Sequence, residues 1–361
     1  IQLKPNYPDA HYNLGTALLE QGDLIHSISY LRQAIKLKPD YPDVLQNLGH
    51  AFLLNGDYQK GWLQYEYRFK KSRLPVIPHA KPSIPRWQGE TLLPSEPLLV
   101  VTEQGLGDTI QFMRYIHSLR QQNIDVTFCA QTKLHDLIKI SGIDSNPLTP
   151  TQGNEVKEGK WIPLLSVPRY LNVSPENPVA TDPYIHCSSE LTEKWKNILS
   201  NEQSPIIGIN WQGNPKIEKT TLKGRSIPLD LFSTIAQNND CSFLSLQKGF
   251  GSDQLETCSF KHRFVHCQDQ INDIWGFLET TAMIANCDLV ITSDTSVAHL
   301  AAGMGKTTWC LLHYVPDWRW GIKGQQTFWY PSMKLFRQQQ HNNWIEVIER
   351  VSSALHSHVF N

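Results

Sequence analysis

Three short segments carry residue types that could bind or transform a polar ligand. The first is Glu103-Gln104-Gly105-Leu106-Gly107-Asp108-Thr109, directly after the apolar run Leu98-Leu99-Val100-Val101. Two glycines allow a tight turn and a close backbone approach, and Asp108 falls where a following helix would begin. In open α/β sheets this place, at the carboxyl end of a strand, is where ligands bind. Asp108 can equally cap the helix while the glycines only shape the turn. The Gly-x-Gly-x-x-Gly pattern of dinucleotide folds is absent, so a nicotinamide cofactor is not expected.

The second segment is Thr292-Ser293-Asp294-Thr295-Ser296-Val297-Ala298-His299, again after an apolar run, Leu289-Val290-Ile291. Small polar residues opening a helix leave its first N–H groups free for an anion such as a diphosphate. Plain capping by Ser293, Asp294 or Thr295, and a core role for His299, are the alternatives. The third is Asn210-Trp211-Gln212-Gly213-Asn214-Pro215, followed by Lys216, Lys219, Lys223 and Arg225. Cations beside a strand end suit a phosphate-bearing ligand, whereas a solvated basic loop would bind nothing. The chain has no Asp-x-Asp and no His/Cys cluster at metal spacing, so phosphate charge would be met by Lys, Arg and a helix N-terminus. Neither a metal nor another cofactor is expected.

These loops need strands and helices to hold them. Short apolar runs followed by helical periodicity begin at Leu98 and recur, with a second series opening at Ile206-Ile207-Gly208-Ile209. Strands are also expected at 124–130, near 145–148, 160–164 and 184–187, then at 242–246, near 263–266, 289–291 and 307–312. Helices are expected at 109–120, 132–140, 190–200, 229–238, 273–286 and 295–302. Two β-α series predict two open parallel sheets. Pro75, Pro78, Pro82, Pro85, Pro94 and Pro97 forbid helix over 72–97 and predict an extended linker anchored by Trp87. Trp344 to His356 is read as a terminal helix packing back across the domain pair.

The first 70 residues have a different logic. Leu3-Lys4-Pro5-Asn6-Tyr7-Pro8-Asp9 returns as Leu37-Lys38-Pro39-Asp40-Tyr41-Pro42-Asp43, and Asn13-Leu14-Gly15 returns as Asn47-Leu48-Gly49. The period of 34 resembles the tetratricopeptide repeat, a helix–turn–helix unit that binds protein or peptide partners. Ile1-Gln2-Leu3-Lys4-Pro5 matches the seam Ile35-Lys36-Leu37-Lys38-Pro39, so the chain is expected to open at the tail of an earlier repeat. Trp62, Tyr65, Tyr67 and Phe69 predict a capping helix that leans on the following unit. The resulting division is 1–71 repeats, 72–97 linker, 98–189 and 190–340 Rossmann-like domains, and 341–361 terminal helix.

Composition narrows the function. Lys+Arg 33 against Asp+Glu 34 gives a net charge of -1, which offers no field for nucleic acid. No apolar run nears the roughly 18 residues of a membrane span. Seven dispersed cysteines without Cys-x-x-Cys suit reduced thiols and a cytoplasmic location.

Together, Gln104-Gly105-Leu106-Gly107-Asp108, Asn210-Trp211-Gln212-Gly213-Asn214 and Asp288–Ala301 resemble bacterial tetratricopeptide-repeat glycosyltransferases of GT-B fold. These are related to heptosyltransferases and, more distantly, to O-GlcNAc transferases. The resemblance implies an inverting, metal-independent transfer from a nucleoside-diphosphate sugar to a hydroxyl acceptor. It implies that Asp108 is the general base, with Gln104, Gly105 and Gly107 on the acceptor side. It implies that Ser293, Asp294, Thr295, Ser296, Val297 and His299, with Trp211, Gln212, Lys223 and Arg225, hold the donor. Position 296 is Ser where heptosyltransferases usually have Gly, and Pro316–Trp320 and Trp329–Pro331 differ from their counterparts, so heptose is not assumed. Those aromatics could stack on a sugar or base, or simply pack. The alternative is a non-catalytic repeat scaffold with a nucleotide-sensing GT-B-like unit. A nucleotide-sugar epimerase would need a nicotinamide fingerprint and a Tyr-x-x-x-Lys, and both are missing.

Overall fold

The computed structural model describes residues 4–93, 96–219 and 223–359. Ile1, Gln2 and Leu3, on which the earlier-repeat reading rests, lie outside the described residues, as does Pro94 of the linker.

Two helix pairs open the chain: α1 (Pro8–Gln21), α2 (Leu24–Leu37), α3 (Pro42–Leu54) and α4 (Tyr58–Tyr65). Pro8 and Pro42 sit in the first turns of α1 and α3, where no N–H is needed. Asp23 and Asp57 cap α2 and α4, accepting the His26 and Lys60 N–H groups at 3.2 Å. The Leu-Gly of the second repeat has a packing cause. A Cβ on Gly49 would lie 2.8 Å from the Tyr65 backbone nitrogen, so only Gly lets α3 and α4 approach this closely.

The aromatic end of the repeats is docked. A 3-10 turn, Glu66–Phe69, extends α4. The Trp62 indole N–H donates to the Val173 carbonyl at 2.8 Å, and its ring meets Trp318 edge-on at 5.3 Å. The linker then runs along the next domain. Trp87 is buried, its N–H donates to the Trp161 carbonyl at 2.8 Å, and its ring packs on Tyr170 at 4.8 Å.

The first sheet has three parallel strands in the order β2-β1-β3: β1 (Leu98–Val101), β2 (Val126–Cys129) and β3 (Lys160–Pro163). The second has five, β5-β4-β6-β7-β8: β4 (Ile206–Asn210), β5 (Ser242–Ser245), β6 (Leu289–Ser293), β7 (Thr308–Leu312) and β8 (Met333–Arg337). All register pairs are parallel. β1, β4, β6 and β7 are buried along their whole length, as expected of sheets covered on both faces. A tetratricopeptide-repeat region followed by two Rossmann-like parallel-sheet units is therefore the architecture.

Several elements differ from expectation. Segments 145–148 and 263–266 contribute only single bridges, Leu148 to Cys129 and Phe264 to Phe243. The expected strand at 184–187 is replaced by a crossing, in which the Tyr184 and Ile185 N–H groups both reach the Gly303 carbonyl. The expected helix 109–120 is two helices, α5 (Leu106–Phe112) and α6 (Tyr115–Gln121). The expected helix 273–286 is likewise two, Gln268–Asp273 and Phe277–Ala285. Strand β8 has no counterpart among the expected elements. The terminal helix Trp344–Val359 does not lie across the domain pair. Its stripe Trp344, Val347, Ile348, Val351 and Leu355 is buried in one core with Ile207, Ile209, Phe243 and Trp309 of the second sheet. Spacing at i, i+3, i+4, i+7 and i+11 makes one continuous apolar face, and a sheet buries such a face better than a seam between domains.

Candidate active site

Sequence adjacency put Asp108 after two glycines, but the strained residue of the turn is Gln104. It has φ 63, whereas Gly105 has φ -83. The Gln104 side-chain amide donates to the Tyr65 hydroxyl at 3.0 Å, so the repeat module holds this left-handed residue. Asp108 stands three residues into the start of α5, and its Oδ2 accepts the Gly105 N–H at 2.8 Å. The helix-stabilising role is thus real. It is not the whole role, because Oδ1 is ion-paired with Arg319 from the other domain.

Gly107 allows a close approach. Its missing Cβ would lie 3.2 Å from His299 Cδ2 and 3.3 Å from the Ser296 Cα. The carboxyl-end loop of β1 therefore packs directly on the carboxyl-end loop of β6. Gly107→Ala should push these loops apart and lower stability by about 1–3 kcal/mol. A urea midpoint unchanged from the parent would contradict this contact.

The facing loop opens the helix Ser296–Gly303. Thr295 occupies the cap position, yet its hydroxyl donates to Asn210 Oδ1 at 2.8 Å and caps nothing. The first-turn N–H groups thus lack a side-chain cap. Ser293 is buried and its Oγ has no hydrogen-bond partner among the described residues. Asp294 is buried too, and its carbonyl accepts from Arg225 at 3.1 Å. Ser296 is half-buried and Val297 buried. His299 is held as a core histidine. Its Nδ1 meets the Tyr330 hydroxyl at 3.0 Å, its ring stacks on Trp320 at 5.4 Å, and burial drives it to the neutral form.

The third segment separates into parts. Trp211 is wholly buried, with its indole N–H on the Gly251 carbonyl at 3.2 Å. The expectation that it faces the donor is corrected, since that large apolar side chain serves the second core. Gln212 is half-buried and accepts from Gln254 at 3.0 Å. Lys216, Lys219 and Lys223 are exposed, and Arg225 alone of the four cations reaches the Asp294 loop. Trp318, Trp320, Trp329 and Tyr330 are buried, so they pack rather than present open stacking faces.

The sequence reading missed Arg319. Its guanidinium pairs with Asp108, contacts Asp317 at 2.8 Å and Gln111 at 2.6 Å, and lies over the Trp318 ring at 4.6 Å. A single Arg between two tryptophans has no spacing that marks it. Burial pushes the Asp108 carboxyl above its usual range, and Arg319 opposes that shift. Burial also pushes Asp294 up to about 6, reinforced by Asp317 and opposed by Arg225. Two carboxylates with raised proton affinity thus lie within electrostatic range of the Arg319 guanidinium.

The fold and these loops define a class: paired Rossmann-like sheets bearing an N-terminal repeat module. The TPR repeat family model matches residues 17–56. Protein FlbA of Caulobacter vibrioides is similar at 20% identity, in an alignment of 385 residues that covers 98% of this chain. The chain spans 62% of that relative's length. Among solved structures, a glycosyl transferase family 9 protein from Veillonella parvula aligns with TM-score 0.49 and 12% identity, covering 73% of this chain and 92% of its own. The ADP-heptose lps heptosyltransferase II of E. coli aligns with TM-score 0.47 and 12% identity, covering 72% and 98%. A mutant O-GlcNAc transferase of Thermobaculum terrenum spans 99% of this chain and 80% of its own, at 12% identity and TM-score 0.28. Among the described residues no helix is long and apolar enough to cross a membrane.

Proposed function

We propose that this chain is a glycosyltransferase that moves a sugar from a nucleoside-diphosphate donor to a hydroxyl acceptor, without a metal and with inversion. The observation that carries the reading is the packing of Gly107 on Ser296 and His299, which joins the strand-end loops of two separate sheets. The acceptor hydroxyl gives its proton to Asp108 as its oxygen attacks the anomeric carbon. The bond from that carbon to the diphosphate breaks, and the leaving charge falls on Arg225 and the uncapped helix start at Ser296. Ser293 Oγ, buried and without a partner among the described residues, is available to the same ligand.

The nucleoside end extends along the carboxyl ends of β4 and β5. A surface hollow of about 260 Å³ lies there, lined by Gln247, Lys248, Asn272 and the exposed Trp275. Gln247 ties it to the third segment by accepting the Gln212 N–H at 2.9 Å. The repeats recruit the acceptor or another protein partner.

Calorimetry with a panel of nucleoside-diphosphate sugars tests the donor reading. One member of the panel should bind, and Arg225→Gln and Asp294→Ala should each weaken it about tenfold or more, the cost of losing a charge-assisted contact. Absence of binding, or equal binding by both variants, removes the reading. A second reading, a non-catalytic scaffold that senses nucleotide, has one observation in its favour: Gly105 and Arg319 engage both oxygens of Asp108. Donor turnover in the presence of a mixed acceptor extract separates the two.

A further inference from the structure

Asp108 and Arg319 belong to different domains, the first to α5 below β1, the second to the 3-10 turn Trp318–Trp320 after β7. We propose that Arg319 is the positioning residue of Asp108, and that this interdomain ion pair completes the base only when the two sheets are apposed. The inference rests on the reading of Asp108 as the acceptor-side base.

The geometry is one of orientation. Gly105 N–H fixes Oδ2 from within α5, so only the Oδ1 side is left to be set from outside. Arg319 is itself immobilised. Its Nη1 donates to Asp317 at 2.8 Å, its Nε to Gln111 at 2.6 Å, and its plane lies over Trp318. It is 7% exposed, so its direction is determined by packing and not by solvent. A second arginine crosses the same seam the other way. Arg114 follows α5 and donates to the Trp329 carbonyl at 2.6 Å and the Tyr184 hydroxyl at 3.1 Å. Separating the domains would break the Asp108–Arg319 and Arg114–Trp329 contacts, return Asp108 to water and leave its Oδ1 side unheld.

Other charges face the pair. Asp317 stands beside Arg319, His79 of the linker is within range of Asp108, and on the opposite loop Asp294 and His299 feel Arg319 and Asp317, with Arg225 beside Asp294. Arg319 and Asp317 act on Asp108 in opposite senses, which makes the proposal testable by sign.

Protein labelled with carbon-13 at the aspartate carboxyls gives the readout, with the signal lost in Asp108→Asn identifying the group. Arg319→Gln should raise the Asp108 midpoint by about one pH unit or more, and Asp317→Asn should lower it. Arg319→Lys keeps the charge and should hold the midpoint, while its point-like ammonium lowers turnover through lost orientation. Donor affinity should be unchanged in Arg319→Lys, which keeps the charge. The acid limb of the transfer rate should follow each midpoint. Unmoved midpoints in Arg319→Gln and Asp317→Asn overturn the proposal, as does a tenfold loss of donor affinity in Arg319→Lys. If Arg319→Gln does not fold, Asp317→Asn still decides by its sign. Moved midpoints in a chain that transfers no sugar would remove the proposed reaction and leave the ion pair standing.

Discussion

Asp108→Asn should lower sugar transfer about 10²–10⁴-fold, the usual contribution of a positioned base, and leave donor binding unchanged. The substitution removes proton affinity while keeping shape. One amide group cannot satisfy both neighbours, however, since Gly105 N–H and Arg319 each require an acceptor. A stability loss of about 1–3 kcal/mol is therefore expected alongside the kinetic loss, and thermal melting of the variant separates the two. The pH dependence adds a sign. A base works when deprotonated, and burial raises the pKa of Asp108 against the pull of Arg319. Parent activity should fall as pH drops through that raised value, and the residual activity of Asp108→Asn should lack this limb. Full turnover in the variant would remove Asp108 from the mechanism.

Arg68→Met should destabilise the fold by about 3–5 kcal/mol, the cost of stranding a buried charge. Arg68 and Glu103 are 1% and 0% exposed, and pair at 2.7 Å. Arg68 also donates to Ser166 at 2.7 Å and Glu66 at 2.9 Å, while Glu103 accepts the Leu165 N–H at 3.2 Å. The pair joins the last turn of the repeats to the end of β1, one residue before Gln104. Without Arg68, Glu103 stays buried and its carboxyl, already raised by burial, rises further. A raised carboxyl pKa penalises the folded state as pH climbs above the unfolded value near 4.3, so the defect should shrink in acid. Arg68→Met with Glu103→Leu should recover much of the loss, because it removes both desolvated charges. Urea midpoints of the single and double variants check this. A single variant as stable as the parent would mean that the repeats are a loosely tethered arm.

Repeats, linker and most central strands were legible because their causes are local. A 34-residue period repeats the same caps and turns, prolines exclude helix wherever they fall, and an apolar run of four or five residues marks a buried strand. The Gly105–Asp108 and Ser293–His299 loops were legible for the same reason, as short polar segments that follow such runs. Strand β8, Met333-Lys334-Leu335-Phe336-Arg337, was not, since charged residues interrupt it and its backbone is shielded by distant partners, β7 on one side and Gln325 and Gln326 on the other. Trp211 also misled, because an aromatic beside polar residues reads as a ligand contact until a core is seen to enclose it.

The chemistry around Asp108 was the least legible part. Its residue type and its place after a strand are properties of seven consecutive residues. Its partner Arg319 is 211 positions away, its loop is braced by Tyr65 from the repeats, and its proton affinity depends on how tightly two sheets close. Local patterns carry the first kind of information, because backbone geometry and hydrophobic period act over a few residues. Ion pairs across a seam, and the desolvation that shifts a carboxyl, exist only once distant segments are packed together, and so they belong to the tertiary structure alone.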